Sequence, residues 1–443
     1  MTLATLPMLL YIFPAFTILA ALLPPRWKQL ALGSGGLTIV GYLGGFPAVL
    51  MLTLSVCSTW LILRMQPLRS GTHHRRADLW QYAGISMQLL WLLICKFTIG
   101  GMSLLPMLLC SLQGIECILA RAQHKIPIPS LYHFFCYQCD MTRLFSCTIL
   151  PYTEYEAHIR QRQVTAERVG QGAGMCIRGI FQLVCLSLPM QTLQAQLLPS
   201  VSVITAFDVL FSVPVFFFAV YFGLKGASQL GQGIACMLGI VYPDCFDAPI
   251  LSTSLHNYAK RFMSPVSGWI QRVLLTAQAE QDYGTYFTRI ALLLGCGGFL
   301  FGNAGGLLWG IATAAALTAE RKLSPKYGGK LPAPASCLLT NAIVLIGLIF
   351  VSSGSIIGML SEYGALLGIN GAMLSSTAEY LLHTNWLTLI LCIIGLFPIR
   401  RIREKLPQDK IYIRLLRTAI SAAMETGMLL FAYAELLSRY LRS

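Results

Sequence analysis

Long apolar runs alternate with short polar connections along almost the whole chain. Many of these runs approach about twenty residues, the length that an α-helix needs to cross the hydrocarbon core of a membrane. The apolar runs that predict spanning helices are residues 6–23, 30–47, 49–63, 79–99, 102–120, 172–190, 201–224, 290–318, 335–359, 386–399 and 418–440. Three segments that are shorter or more polar predict re-entrant or interfacial helices, namely residues 131–150, 231–242 and 363–383.

This pattern predicts an all-α polytopic membrane protein with about 11–13 transmembrane helices plus re-entrant or interfacial helices. We expect one integral membrane domain over residues 1–443. Within it lie the N-terminal spans at residues 1–125, a core at residues 126–330 with a polar segment at residues 241–281, and the C-terminal spans at residues 331–443.

The composition supports a lipid environment and narrows the classes of partner. Of the 443 residues, 56% are hydrophobic and only 11% are Asp, Glu, Lys or Arg, whereas about a quarter are charged in soluble domains. The 32 Lys and Arg residues outnumber the 18 Asp and Glu residues, so the formal net charge is +14. A nucleic-acid-binding protein would carry this excess on a polar domain, but here it lies in short connections between apolar runs. We therefore expect membrane lipids as partners and no nucleic acid.

The positive residues also predict the orientation in the membrane. Arg26 and Lys28 follow the first apolar run, and a further basic stretch at residues 64–76 follows the third. Because Lys and Arg mark cytoplasmic connections, the N-terminus is predicted to lie outside. The sequence shows no Pro or Gly interruptions at matching positions in two halves of the chain, which argues against a secondary transporter. It also shows no nucleotide-binding loop, which argues against a primary pump.

The polar segment at residues 241–281 stands out because it lies between two strongly apolar runs. Its candidate substrate-contacting side chains are Asp247, Ser252, Ser254, Lys260, Arg261 and Trp269. The alternative is an amphipathic helix in the membrane interface, with Lys and Arg towards water and the aromatic residues towards lipid.

A series of short motifs surrounds this segment in a defined order. They are Tyr221-Phe222, Gly226, Ser228, Gly231, Gly233-Ile234-Ala235, Met237-Leu238-Gly239, Phe246-Asp247, Pro249, Leu251-Ser252, Ser254, Tyr258, Lys260-Arg261-Phe262, Ser267 and Trp269. Further motifs are Ile149-Leu150-Pro151-Tyr152-Thr153-Glu154-Tyr155 upstream, and Leu307-Leu308-Trp309-Gly310 and Thr318-Ala319-Glu320-Arg321 downstream. This order resembles the membrane-bound O-acyltransferases, in the bacterial branch that acetylates alginate or D-alanylates teichoic acid.

The chain departs from that family at the positions that carry its chemistry. The two family histidines fall on Met263 and Leu300. The two acidic residues of the family's Tyr-Phe-Asp segment fall on Gly223 and Gln229, and its upstream Gly-Pro falls on Cys147-Thr148. Acyl transfer to a hydroxyl needs a base that works near neutral pH, which histidine provides and methionine or leucine does not.

His256 is the candidate surrogate base. It lies seven positions before Met263, two helical turns away on nearly the same face if the segment is one helix. Asp247 or Asp244 would then orient its ring. The alternative is that His256 is a polar residue at the membrane interface.

Asn303 lies near the position of the second lost histidine, within the glycine-rich stretch at residues 301–306. An amide side chain could orient a hydroxyl or stabilise an oxyanion there. The alternative, which we favour, is close helix packing through the small residues, with Asn303 bonding across.

The resemblance implies acylation of a cell-envelope polysaccharide or polymer with an acetyl or D-alanyl group at the bacterial inner membrane. It also implies a thioester or acyl-carrier donor on the cytoplasmic side and an extracytoplasmic acyl-transfer partner protein. We expect neither a bound cofactor nor a metal. The alternative is a catalytically inactive member of the same fold that serves as a scaffold, or as an acyl or lipid channel, in an envelope polysaccharide complex.

Overall fold

The computed structural model describes residues 11–67, 74–99, 104–123, 125–197, 204–275, 282–327, 332–353, 355–369, 375–397 and 411–442. This part of the chain is all-α: it contains no β-strand and one isolated bridge, between Phe246 and Phe262. Its helices are α1 (Phe13–Leu22), α2 (Pro25–Met65), α3 (His74–Thr98), α4 (Leu104–Ala122), α5 (Leu131–Cys139), α6 (Met141–Ser146), α7 (Tyr152–Arg160), α8 (Ala166–Phe181), α9 (Leu188–Leu197), α10 (Ala206–Met237), α11 (Leu255–Arg261), α12 (Ser264–Val273), α13 (Tyr283–Tyr327), α14 (Ala333–Ser352), α15 (Ile356–Leu366), α16 (Ser376–Leu396) and α17 (Ile411–Arg442). A π-helical turn at Gln182–Ser187 joins α8 to α9, and a 3-10 turn at Pro249–Leu251 precedes α11.

Seven stretches of helix in the described residues are long and apolar enough to cross a membrane. They are Trp27–Met65, Leu104–Ala122, Ala166–Leu197, Ala206–Met237, Tyr283–Gly302, Ala333–Ser352 and Ser376–Leu396. The prediction of an all-α polytopic membrane protein is therefore confirmed. The total number of spans and the side on which the N-terminus lies stay predictions.

Helix α2 contains two predicted spans, residues 30–47 and 49–63, and the chain turns sharply at Gly45. Gly45 has a φ of 71°, a left-handed conformation that glycine adopts without a steric penalty. A Cβ on Gly41 would lie 2.8 Å from Val49 Cγ2, whereas residues eight apart in a straight helix are separated by about 12 Å. The two predicted spans are thus separate segments, with their boundary at Gly45.

Helix α13 contains the predicted span at residues 290–318, but the chain reverses direction near Gly302 instead of crossing as one helix. A Cβ on Gly298 would overlap the carbonyl oxygen of Gly306, eight residues later. Away from the turn, both arms contribute to one buried cluster, which contains Tyr286, Ile290, Ala314 and Leu317. Small residues allow two helices to approach until their backbones touch, and the glycines of both arms provide this contact.

The contact between the two arms of α13 can be tested with adjacent glycines. Gly298→Ala places a methyl group against the Gly306 backbone, and we expect a loss of about 1–3 kcal/mol from overpacking. Gly297→Ala is the matched control, because a Cβ there meets nothing within 4 Å. This second change is expected to be neutral or to stabilise the helix by about 0.5–1 kcal/mol.

The measurement is the thermal unfolding midpoint of the detergent-solubilised protein. A lower midpoint for Gly298→Ala, with an unchanged or higher midpoint for Gly297→Ala, is the expected result. Equal midpoints for the two variants would contradict direct contact between the arms.

The predicted span at residues 335–359 is also divided. Helix α14 ends at Ser352, and α15 begins after Ser355, whose hydroxyl accepts a hydrogen bond from the Gly358 N–H at 3.0 Å. A serine in this position starts a new helix because its oxygen pairs an amide that the first turn leaves unpaired. Apolar residues continue through the break, so hydrophobicity alone does not locate it.

The helices group into two compact units: Met1–Cys176 with Ser228–Pro243, and Ile177–Ala227 with Asp244–Ser443. The single domain and its three-part division, predicted from the sequence, stay predictions.

The first unit contains a buried polar core. Arg143 is fully buried, with its guanidinium 4.2 Å from the centre of the Tyr137 ring and 4.8 Å from that of Tyr155. Burial raises the pKa of the nearby Asp140 carboxyl, although hydrogen bonds from Thr142 and Tyr155 and the charge of Arg143 oppose the shift. Aromatic faces and hydrogen bonds together stabilise these charges away from water.

In the second unit, α10 and α16 run side by side in the same direction. Near their N-termini, one Asp208 carboxylate accepts hydrogen bonds from the N–H of Thr205 at 3.0 Å and of Ser375 at 3.1 Å. At the other end, Lys225 Nζ donates to the Gly395 carbonyl at 3.3 Å. From residue 208 to 225 in α10, and from 375 to 395 in α16, the helical rise is about 26–30 Å. This length is close to the thickness of the hydrocarbon core.

Candidate functional site

The polar segment forms a compact fold within the second unit, which we call the elbow and define as residues 244–275. Two extended stretches of the elbow lie side by side. The Asp247 N–H donates to the Arg261 carbonyl at 3.0 Å, and the Ser264 N–H donates to the Cys245 carbonyl at 2.8 Å. The chain between them forms a closed loop that carries the 3-10 turn and α11. Residues 276–281 of the predicted polar segment lie outside the described residues.

The start of α11 is held by side chains from two elements. Ser254 caps the helix by accepting a hydrogen bond from the Asn257 N–H at 3.0 Å. The Glu320 carboxylate of α13 accepts from the Leu255 N–H at 2.6 Å and from the His256 N–H at 3.4 Å. A carboxylate is favourable at this position because the first turn presents unpaired amides and a partial positive charge. The anion position at this helix start is therefore filled by the chain itself.

His256 lies in the first turn of α11 with its side chain exposed. The prediction that His256 lies near Met263 requires one continuous helix over both residues, and the structure shows that this assumption is wrong. Helix α11 ends at Arg261, and Met263 begins α12 in a left-handed conformation with a φ of 54°. Helical spacing thus gives no argument that the two side chains share a face. The catalytic role of His256 stays a prediction.

The other predicted residues of the elbow differ in their exposure. Lys260 is exposed, whereas Arg261 is partly buried and donates from Nε to Asn257 Oδ1 at 3.2 Å. The Ser252 hydroxyl is fully buried and has no hydrogen-bond partner within the described part of the chain. Trp269 is 2% exposed and Tyr258 is 8% exposed. Both rings lie inside the protein, so the alternative of an interfacial helix with its aromatic residues towards lipid is wrong for them.

An aromatic cluster joins the elbow to α10. The ring of Tyr221 lies 5.7 Å from that of Phe246 and 6.3 Å from that of Phe262. Phe262 in turn stacks on Tyr258 at 6.0 Å, and burial raises the pKa of the Tyr258 hydroxyl. Ring pairs at these separations stabilise packing beyond their buried area. The cluster therefore keeps the segment that ends in Phe262, next to Met263, against α10.

Comparison with known proteins identifies relatives at low identity, and no protein-family model matches the chain. A probable alginate O-acetylase of Azotobacter vinelandii is 22% identical over 372 residues, which cover 76% of this chain and 72% of the relative. Probable alginate O-acetylases of Pseudomonas putida and Pseudomonas aeruginosa are 24% and 25% identical over 158 and 130 residues. The chain is similar to alginate O-acetylases.

The extent of these matches differs. The Pseudomonas matches cover 35% and 29% of this chain and only 33% and 25% of the relatives. The chain thus spans about a third and a quarter of the length of those two proteins, and most of the length of the Azotobacter protein. The relatives support the resemblance to membrane-bound O-acyltransferases that the motifs indicate.

Met263 and Leu300, the positions at which the motif resemblance places the family's histidines, have distinct surroundings. Met263 is partly buried and occupies the left-handed N-cap of α12. Leu300 is 6% exposed, two residues before the reversal of α13 at Gly302. A non-glycine residue pays about 1–2 kcal/mol for the left-handed conformation, so the backbone at Met263 is held there by the structure around it.

Gly223, at which the motif resemblance places an acidic residue of the family, lies against Ser187 of the π-helical turn. A Cβ at this position would lie 3.0 Å from Ser187 Oγ. The Ser187 hydroxyl donates to the Ala219 carbonyl at 2.7 Å and accepts from Gln191 Nε2 at 2.9 Å. A carboxylate at residue 223 would require this hydroxyl to move. The sequence did not point to Ser187, because its partners become neighbours only in the folded chain.

Cys147, at which the motif resemblance places a glycine of the family, is buried in a left-handed conformation with a φ of 55°. Glycine is the residue that adopts this conformation most readily. The correspondence of Cys147 with the family's glycine stays a prediction.

The glycines around Asn303 lie at the reversal of α13. The Asn303 side chain lies outside the described part of the structure, so its catalytic role and its packing role both stay predictions.

Glu320 provides a direct test of the elbow. Glu320→Gln leaves one acceptor oxygen where the carboxylate offers two, so one amide of the first turn of α11 loses its partner. We expect roughly tenfold faster hydrogen exchange at residues 255–258, because a hydrogen bond to a charged group contributes about 1.5–3 kcal/mol. Mass spectrometry of peptides from the detergent-solubilised protein gives the exchange rates.

The matched control is Glu379→Gln, which changes an exposed glutamate in the first turn of α16. It should leave exchange at residues 255–258 unchanged. Unaltered exchange in the Glu320→Gln variant would show that the carboxylate does not hold α11.

Proposed function

We propose that this protein acts in the acylation of a cell-envelope polysaccharide or polymer at the bacterial inner membrane, with the N-terminus outside. The observation that carries the proposal is the similarity to an alginate O-acetylase over 372 residues, 76% of the chain. The multi-pass helical fold and the position of the basic connections support it. An acetyl or D-alanyl group would be transferred to a hydroxyl of the acceptor.

The reaction requires an acyl thioester as the donor and an alcohol as the acceptor. The hydroxyl oxygen attacks the thioester carbonyl, a new ester bond forms, and the carbon–sulfur bond breaks. A base takes the hydroxyl proton, and the leaving thiolate ends as a thiol. The proposed donor, a thioester or acyl carrier, reaches the protein from the cytoplasm. A partner protein on the extracytoplasmic side would receive or deliver the acyl group.

Within this proposal, His256 is the base. Its exposed side chain can reach an acceptor from solution, and the Glu320 carboxylate binds its backbone N–H at 3.4 Å. Ser252, Ser254, Lys260, Arg261 and Trp269 are the proposed residues of the substrate path in the elbow.

A second candidate function is a catalytically inactive member of the same fold, which serves as a scaffold or as an acyl or lipid channel. What favours it is that the motif resemblance places the family's ionisable side chains at Met263, Leu300 and Gly223 of this chain. None of these three side chains can accept a proton from a hydroxyl.

An acyl-transfer assay separates the two functions. The purified protein in lipid nanodiscs is supplied with an acetyl thioester and alginate oligosaccharides, and O-acetyl esters are measured by mass spectrometry. We expect turnover by the wild type and a loss of about 100-fold or more in His256→Ala, the usual contribution of a general base. His383→Ala, which changes an exposed histidine of α16, is the matched control and should keep full activity.

Retained activity in His256→Ala would exclude this residue as the base. The double variant Met263→His with Leu300→His decides the second candidate. If it turns over while the wild type is inactive, the wild-type chain has the inactive form of the fold.

A further inference from the structure

Lys225 is a cation in α10, at the point where the predicted apolar run at residues 201–224 ends. Its ammonium donates one hydrogen bond, to the Gly395 carbonyl at 3.3 Å. It also lies 5.1 Å from the centre of the Tyr221 ring and 6.0 Å from that of Phe222. Among the described residues, no carboxylate oxygen lies within 4.0 Å of the Lys225 ammonium, the distance that defines an ion pair. A lysine in a spanning helix without a counter-ion is a candidate functional residue.

Tyr221 lies one helical turn before Lys225, on the same face of α10. Its side chain is 0% exposed, and its hydroxyl has no hydrogen-bond partner among the residues that the structure describes. A buried hydroxyl without a partner costs about 1–3 kcal/mol. Two hydrogen-bond donors with unused capacity are thus adjacent on one helix face, since an ammonium has three N–H groups and a phenol has one O–H.

We propose that Tyr221 and Lys225 form a binding site for a carboxylate group. A carboxylate accepts hydrogen bonds at both oxygens, so it can pair with the ammonium and the phenol together. Its single negative charge balances the single charge of Lys225. A phosphate dianion would leave an uncompensated negative charge in partly buried surroundings, which is unfavourable.

The site lies beside the elbow, because Phe246 and Phe262 pack on the ring of Tyr221. Lys225 as a residue is partly exposed, whereas Tyr221 is fully buried. Binding of a carboxylate at this position does not depend on acyl transfer. A free acid, a sugar acid and a fatty acid all present the same chemical group, and the experiment distinguishes these sources.

The test is equilibrium dialysis of radiolabelled acetate against the full-length protein in phosphatidylcholine nanodiscs. We expect saturable binding to the wild type and at least tenfold weaker binding to Lys225→Met and to Tyr221→Phe. Lys225→Arg keeps the positive charge and should retain binding. Lys322→Met, which removes an exposed lysine of α13, is the matched control and should bind acetate as the wild type does.

Tyr221→Phe is the sharper of the two variants. The hydroxyl has no partner in the structure, so its removal should leave the thermal midpoint unchanged or raise it. Loss of acetate binding with an intact fold therefore assigns the hydroxyl to the ligand. If Lys225→Met fails to fold because the hydrogen bond to Gly395 is lost, Tyr221→Phe still tests whether the site binds a carboxylate.

The competing probes identify the source of the carboxylate and test the charge requirement. Glucuronate and laurate are compared as competitors for acetate, and methyl acetate, which has no charge, should not compete. Competition by methyl acetate, absence of saturable binding to the wild type, or wild-type affinity in either Lys225→Met or Tyr221→Phe would overturn the proposal. None of these results depends on whether acyl transfer is observed.

Discussion

A helix that ends in apolar surroundings leaves unpaired amides at its start and unpaired carbonyls at its end, and lipid cannot bond them. Charged side chains meet this constraint in the second unit. Asp208 pairs amides at the starts of both α10 and α16, and Lys225 pairs a carbonyl at the end of α16. Glu320 does the same for the start of α11. In a chain with only 11% charged residues, the use of three charges at helix ends shows how strongly the fold depends on these contacts.

The reversal of α13 places Glu320 where α11 needs it. The arms of α13 approach until the Gly298 and Gly306 backbones touch, so no side chain separates them. Arg321, the neighbour of Glu320, lies 4.8 Å from the ring of Tyr286 on the opposite arm, which defines the register of the two arms. Close packing of the glycines therefore sets the position of the second arm of α13. That arm carries Glu320, which caps α11 of the elbow, and Arg321, which contacts the first arm.

The sequence was sufficient for the fold class, since hydrophobic runs of spanning length predict membrane helices without knowledge of their contacts. It was also sufficient to select the segment around Asp247 and Ser254 as a distinct polar region. It did not show where helices break. The turn at Gly45 uses a left-handed glycine and brings Gly41 against the Val49 side chain, whereas the reversal near Gly302 brings the Gly298 and Gly306 backbones together; apolar composition continues through both. The single-helix argument that linked His256 to Met263 was wrong because α11 ends at Arg261 and the backbone turns at Met263.

Met263 and Cys147 are the two positions of the family-like motifs at which the backbone of a non-glycine residue is left-handed. Both residues keep a left-handed backbone that costs a non-glycine residue about 1–2 kcal/mol. At Met263, the surrounding hydrogen bonds explain why the strain persists: the Ser264 N–H binds the Cys245 carbonyl, and the Val266 N–H binds the Met263 carbonyl at 3.0 Å. The path of the chain through the elbow is therefore determined by packing and backbone bonding rather than by the side chain at residue 263. A change of side chain at residue 263 is therefore compatible with the same path of the chain. Beside the elbow, Tyr221 and Lys225 keep hydrogen-bond donor capacity that their contacts within the described residues do not use.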